Sequence, residues 1–134
     1  MTVGRSTSPK HQIGQQAEET ALNFLQQQGF QFVAQNYHCK MGEIDLIVKK
    51  DHLLVFVEVR QRKSSVFGGA AASVTPSKQR KIIQTSAFFL QSFSEFESFD
   101  CRFDVIAIDR PAQFSDSKKI DWIEDAFDAS VLYG

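Results

Sequence analysis

Apolar residues recur with two different periods along this chain of 134 residues. Over residues 13–28, Ile13, Ala17, Ala21, Phe24 and Leu25 fall on one side of a 3.6-residue repeat, which predicts an amphipathic helix. Gly29 follows at the expected stop position. A two-residue alternation then takes over. Residues 31–37 predict a short strand, and residues 42–49 and 53–60 predict two stronger ones. The stretch SSVFGGAAASV reads as a mobile loop, after which Thr75-Pro76 supplies an N-cap and a first-turn proline for a helix reaching about residue 93. Residues 99–108 alternate like another strand, and residues 120–127 form a short element of undecided type. The first ten residues read as a disordered tail ahead of a single domain over residues 11–134.

The order is therefore α-β-β-β-α-β. Consecutive early strands give an α+β-like order within a mixed α/β sheet, not a Rossmann repeat. The sequence has neither a Walker-type phosphate loop nor GxGxxG. Alternation assigns Ile44, Leu46, Val48, Val55, Val57 and Val59 to one wholly apolar face. The other face carries Ile47, Leu54 and Phe56 near the turn, with Glu43, Asp45, Glu58 and Arg60 at its open end. Such a sheet is covered on both faces and carries a charged cluster at one edge.

The turn between the two strong strands fixes what that cluster contains. A tight hairpin centred between Asp51 and His52 sets Asp45 directly across from Glu58, and Glu43 across from Arg60. Opposed side chains have Cβ atoms about 5 Å apart, where like charges are destabilising. Two such carboxylates either share a proton or hold a cation, and oxygen ligands suit Mg²⁺ or Mn²⁺ better than zinc. A structural ion-pair cluster, with Arg60 neutralising its neighbours, is the alternative. On the first helix, Glu18 falls at about 140° on a wheel started at Ile13, between Leu25 and Leu22, whereas Glu19 lies among the glutamines. Glu18 thus borders the buried face, where a carboxylate needs a partner. It is either an ordinary boundary glutamate or a third member of the cluster.

Composition narrows the setting. The hydrophobic content of 43% and the net charge of −1 suit a globular domain and not a protein that coats nucleic acid by bulk charge. No apolar run has the length of a membrane span, and the first residues lack the apolar core of a signal peptide. Cys39 and Cys101 have no metal-ligand spacing, so a reducing, cytoplasmic location is expected. Charge is unevenly spread. Between Val59 and Ser94 there is no acid, while Arg60, Arg62, Lys63, Lys78, Arg80 and Lys81 all fall there. The N-terminus of the Thr75 helix, with Lys78 and Gln79 in its first turn, is a candidate anion site. Arg62, Lys63, Lys78, Gln79 and Arg80 are therefore the candidate nucleic-acid contacts, and a solvated face is the alternative for them.

The segments GQQAEETALNFLQQQGF, QNYHCKMGEIDLIV, LLVFVEVRQR, FGGAAASVTPSKQRK and CRFDVIAI resemble the bacterial YraN family, over about residues 12–109. That family is similar in fold to archaeal Holliday-junction resolvases and, more widely, to PD-(D/E)xK nucleases. The resemblance implies a three-layer restriction-endonuclease-like fold with a mixed central sheet flanked by helices. It places the motif aspartate at Asp45, the E-x-K at Glu58-Val59-Arg60, and the helical glutamate of the resolvases at Glu18. Ile44 stands where proline is usual, and Arg60 stands where lysine is usual. Arginine keeps the charge and clamps phosphate, but it cannot serve as a proton-transfer base near neutral pH.

The chemistry so implied is metal-assisted phosphodiester hydrolysis, with Mg²⁺ or Mn²⁺ held by Asp45 and Glu58, and by Glu18 directly or through water. DNA, branched DNA included, is the expected partner. A homodimer is expected by analogy with the two-fold resolvases. Two other functions stay open: a nucleic-acid-binding module with a degenerate nuclease site, and a protein-interaction component whose carboxylate cluster is structural.

Overall fold

The computed structural model describes residues 9–62, 74–109 and 119–133, with side chains from Gln16 onward and not at Arg62. The expectations for the first eight residues, for Lys63 and for most of the glycine-rich loop lie outside these described residues.

Helix α1 runs Pro9–Gln27, four residues earlier than the apolar period announces. It ends where Gly29 turns left-handed at φ 96°, which lets the Phe30 N–H reach back to the Leu25 carbonyl at 3.1 Å. Strands β1 (Gln31–Cys39), β2 (Gly42–Lys50) and β3 (Leu53–Arg62) follow as an antiparallel meander. Helix α2 (Pro76–Ser92) starts at Thr75, whose hydroxyl accepts from the Lys78 N–H at 3.2 Å. It carries the chain to β4 (Asp100–Asp109), which pairs with β3 in parallel. The undecided segment is a fifth strand, β5 (Ile120–Phe127), antiparallel to β4 at the sheet edge.

The spatial order β1-β2-β3-β4-β5 gives one mixed sheet. On one face, Ala17, Ala21 and Leu25 of α1 bury Leu46, Val48, Val55, Val57, Ile106 and Ile108. On the other, Ile82, Ile83 and Phe89 of α2 bury Ile44, Ile47, Leu54, Phe56, Phe103, Val105 and Ala107. The result is the expected three-layer α+β arrangement, of the restriction-endonuclease-like kind. Among the described residues no helix is long and apolar enough to cross a membrane.

The alternation expected along β2 fails at one place, and this failure shapes the site. Ile44 belongs to the core under α2, while Leu46 and Val48 belong to the core under α1. Strand β1 switches at the same level: Gln35 reaches α1, whereas Tyr37 packs edge-on against Phe89 of α2 with ring centroids 5.1 Å apart. The switch occurs at Asn36, left-handed at φ 54°, and the ladder omits the rung between Asn36 and Asp45. Both strands therefore turn over together. Asparagine adopts this φ more readily than most residues other than glycine.

Candidate metal centre

The β2–β3 hairpin has the register expected from its two-residue turn, from Lys50 opposite Leu53 up to Leu46 opposite Val57. Beyond that rung the strands part. The expected direct pairs, Asp45 across from Glu58 and Glu43 across from Arg60, are not rungs of the sheet. β3 continues only beside β4, and Glu43 pairs instead with His38 on β1. The strand inversion at Asp45 is the physical reason. It ends the β2–β3 ladder, and the Asp45 carboxylate takes the place of a backbone acceptor, with Oδ2 receiving the Val59 N–H at 2.8 Å.

A cleft of about 410 Å³ opens where the strands diverge, lined by Ala17, Glu18, Asp45, Glu58, Val59, Arg60 and Gln61. Divergence lets it draw side chains from both faces of the sheet. Glu18 comes from α1, held by the Gln35 amide, whose Nε2 donates to Oε2 at 3.0 Å. Glu58 comes up from the middle of β3. The structure thus brings Asp45, Glu58, Glu18 and Arg60 around one opening, with Glu43 half-buried close enough to Glu18 for its charge to be felt.

The electrostatics are those of an excess of carboxylate. Burial, then the adjacent Asp45 charge and a hydrogen bond between the two carboxyls, push Glu58 up to about 9; Lys78 and Arg60 pull the other way. Burial pushes Glu18 up to about 7, opposed by its bond to Gln35 and reinforced by Asp45 and Glu43. Glu58 Oε2 and Arg60 Nε are buried with no hydrogen-bond partner among the described residues. An unpaired carboxylate oxygen, a second carboxyl sharing its proton and a third alongside form a hard-oxygen donor set suited to a divalent cation. The side chains are not drawn into a closed cage: among the described residues no three His, Cys, Asp or Glu form a ready metal-holding group. The donors thus fit Mg²⁺ or Mn²⁺ as an open site that keeps water ligands, the coordination Mg²⁺ prefers.

The basic candidates separate. Lys78 lies half-buried in the first turn of α2, where its charge acts on Glu58. Gln79 is committed elsewhere, its Nε2 donating to the Val74 carbonyl at 2.9 Å and fastening the chain that enters the helix. Arg80 is half-buried and Lys81 exposed on the same helix. Arg62 ends β3 with only its backbone described, and Lys63 lies outside the described residues.

Gln35 and Asn36 are site residues that sequence reasoning missed. The available signal was two adjacent polar residues inside a strand whose neighbours are apolar. Outside the cleft, Arg102 and Asp104 of β4 form a structural ion pair. Arg102 pairs with the fully buried Asp104, which also accepts from Trp122 Nε1 and the Asp125 N–H at 2.9 Å each.

A sequence model described as "Uncharacterised protein family UPF0102" matches residues 17–108, which hold every carboxylate of the cleft. A UPF0102 protein of Acinetobacter baumannii strain AYE is 46% identical over 125 residues, covering 87% of this chain and 94% of that one. One from Legionella pneumophila strain Philadelphia 1 is 47% identical over 116 residues, with coverage of 87% and 94%. One from Saccharophagus degradans is 51% identical over 119 residues, with coverage of 88% and 95%.

Proposed function

The chain belongs to the UPF0102, or YraN, family, and from its carboxylate cleft we propose that it is a divalent-metal-dependent DNA endonuclease of the cytoplasm. The observation that carries this is the pairing of Asp45 with the buried Glu58 at the mouth of an opened hairpin, with two cations, Arg60 and Lys78, beside it. A carboxylate cluster alone repels a phosphate backbone, and a bound Mg²⁺ or Mn²⁺ would reverse the local charge and activate water near neutral pH.

The chain's own groups divide the remaining work. Asp45 and Glu58 hold the ion, and Glu18 reaches it directly or through water. Asp45 is pre-aimed by its bond to the Val59 N–H, so the ion pays little to orient it. The Val59 carbonyl is available as a further oxygen ligand. Arg60 supplies a guanidinium for the scissile phosphate but no proton-transfer base. Lys78 and the positive end of the α2 dipole favour an adjacent phosphate. Selectivity for branched DNA and a two-fold dimer belong to the same proposal, because a symmetric dimer matches the two strands of a junction.

Arg60 in the lysine position favours one second reading, a DNA-binding protein that has lost cleavage. One experiment separates the two. Single-stranded, duplex, flap and four-way-junction DNA are incubated with Mg²⁺ or Mn²⁺ and the wild type, Asp45→Ala, Glu58→Ala or Arg60→Lys. The nuclease predicts cutting by the wild type, lost in both alanine variants. Wild-type binding without cutting, with cutting gained by Arg60→Lys, supports the second reading. A protein that neither cuts nor binds any of these DNAs refutes both.

A further inference from the structure

Glu18 stands on a helix, away from the two strand carboxylates, and nothing in α1 itself turns its carboxylate toward them. The chain spends two buried polar residues on that task. Gln35 is 1% exposed and Asn36 2% exposed, at the level where β1 and β2 change faces. Gln35 Nε2 donates to Glu18 Oε2 at 3.0 Å while Gln35 Oε1 has no partner among the described residues, and the Asn36 side chain lies beside Glu18 and favours its ionised form without a hydrogen bond of good geometry. As a core-stabilising device this is poor: the pair forms one hydrogen bond of good geometry and leaves buried polar atoms short of partners, each costing about 1–3 kcal/mol unless water reaches it. Leu46, the β2 residue opposite Gln35, is apolar and fully buried, so a hydrocarbon would suit the position better.

What the arrangement does achieve is direction. Ala34 packs in the core under α2, so the next residue of the strand, Gln35, faces α1, and an amide bonded to a carboxylate oxygen presents its NH₂ group. We propose that the buried Gln35 is a positioning residue that holds the Glu18 carboxylate toward Asp45 and so completes the cation site. This rests on the metal-centre reading above. Partners of this kind orient metal ligands, and their loss typically weakens metal binding about 10–100-fold.

The test is Mn²⁺ affinity, read by the loss of the free-ion electron paramagnetic resonance signal and independent of cleavage. The proteins compared are the wild type, Gln35→Met, Glu18→Gln and the double variant. Gln35→Met is expected to weaken Mn²⁺ about tenfold or more, and to add nothing once Glu18 is already glutamine. A thermal melt of each variant guards against misfolding: a Gln35→Met protein that melts as cooperatively as the wild type and still binds Mn²⁺ weakly carries the positioning role. Wild-type affinity in Gln35→Met, or an equal further loss in the Glu18→Gln background, overturns the positioning role and leaves the metal centre intact. A wild type that binds no Mn²⁺ overturns the metal-centre reading itself, and this inference with it.

Discussion

Glu58 is the residue on which the energetics of the cleft turn. Its environment favours the protonated form, and so does that of Glu18, to a smaller degree. A carboxyl held above its unfolded value binds its proton more tightly when folded. Its stabilising contribution is therefore full below about 4.5 and drains as pH rises towards the folded value, about 7 for Glu18 and about 9 for Glu58. In chelator, urea denaturation of the wild type should show this contribution falling from mildly acid to alkaline pH. Glu58→Gln, neutral and nearly isosteric, should remove the decline between those two folded values. Near the upper one it should be more stable than wild type by about 1–3 kcal/mol. A wild type whose stability rises with pH over that range would place the shifts elsewhere.

Elements were legible wherever hydrophobic period and turn chemistry agreed. The helix start at Thr75-Pro76, the stop at Gly29 and the hairpin at Asp51-His52 are local signals, and each appears where expected. The hairpin register follows from that turn up to Leu46 opposite Val57, and the direct Asp45–Glu58 rung expected beyond it does not form, although both carboxylates line the cleft. The inversion at Asn36 and Asp45 was not legible. It depends on one left-handed residue, and a strand pattern carries no sign of φ. Ile44 was consequently assigned to the wrong face, and the direct rung between the two carboxylates was drawn where a cleft opens.

Strand β5 was hidden for a related reason. Asp125 is left-handed, and the ladder shifts between Phe103 and Val105, so IDWIEDAF does not alternate cleanly. Asp104 closes that irregularity by accepting from Arg102, Trp122 and the Asp125 backbone. Asp104→Ala should therefore cost about 3–5 kcal/mol, because it strands three donors at a buried site. The thermal transition should drop while the cleft, one strand away on β3, keeps its metal affinity. Thr75→Ala removes one cap bond at the start of α2 and should cost only about 1 kcal/mol in the same assay.

Across the whole molecule, charge is sorted along the chain and then sorted again by the fold. The acid-free stretch contributes Arg60 to the cleft and Lys78 beside Glu58, while Glu95, Glu97 and Asp100 lead into the opposite, N-terminal end of β4. Under the proposed function, a nucleic-acid backbone approaching the cleft would meet this basic end, so a net charge of −1 is no bar to local DNA binding. Lys78→Ala should weaken binding to all DNA sequences alike, and lower the dependence of log affinity on log salt by about one unit. A sequence-selective loss would instead mean that Lys78 reads bases.

The proposed function depends on a divalent cation entering between Asp45 and Glu58. The most direct measurement is the melting temperature of the wild type and of Glu58→Gln at about pH 8, with chelator and with saturating Mg²⁺. The account predicts that Mg²⁺ at about a hundredfold over its dissociation constant raises the wild-type transition by roughly 5–10 °C and leaves Glu58→Gln nearly unmoved. A wild type indifferent to Mg²⁺, or a variant stabilised just as much, would contradict it: the carboxylates would then hold only each other's proton.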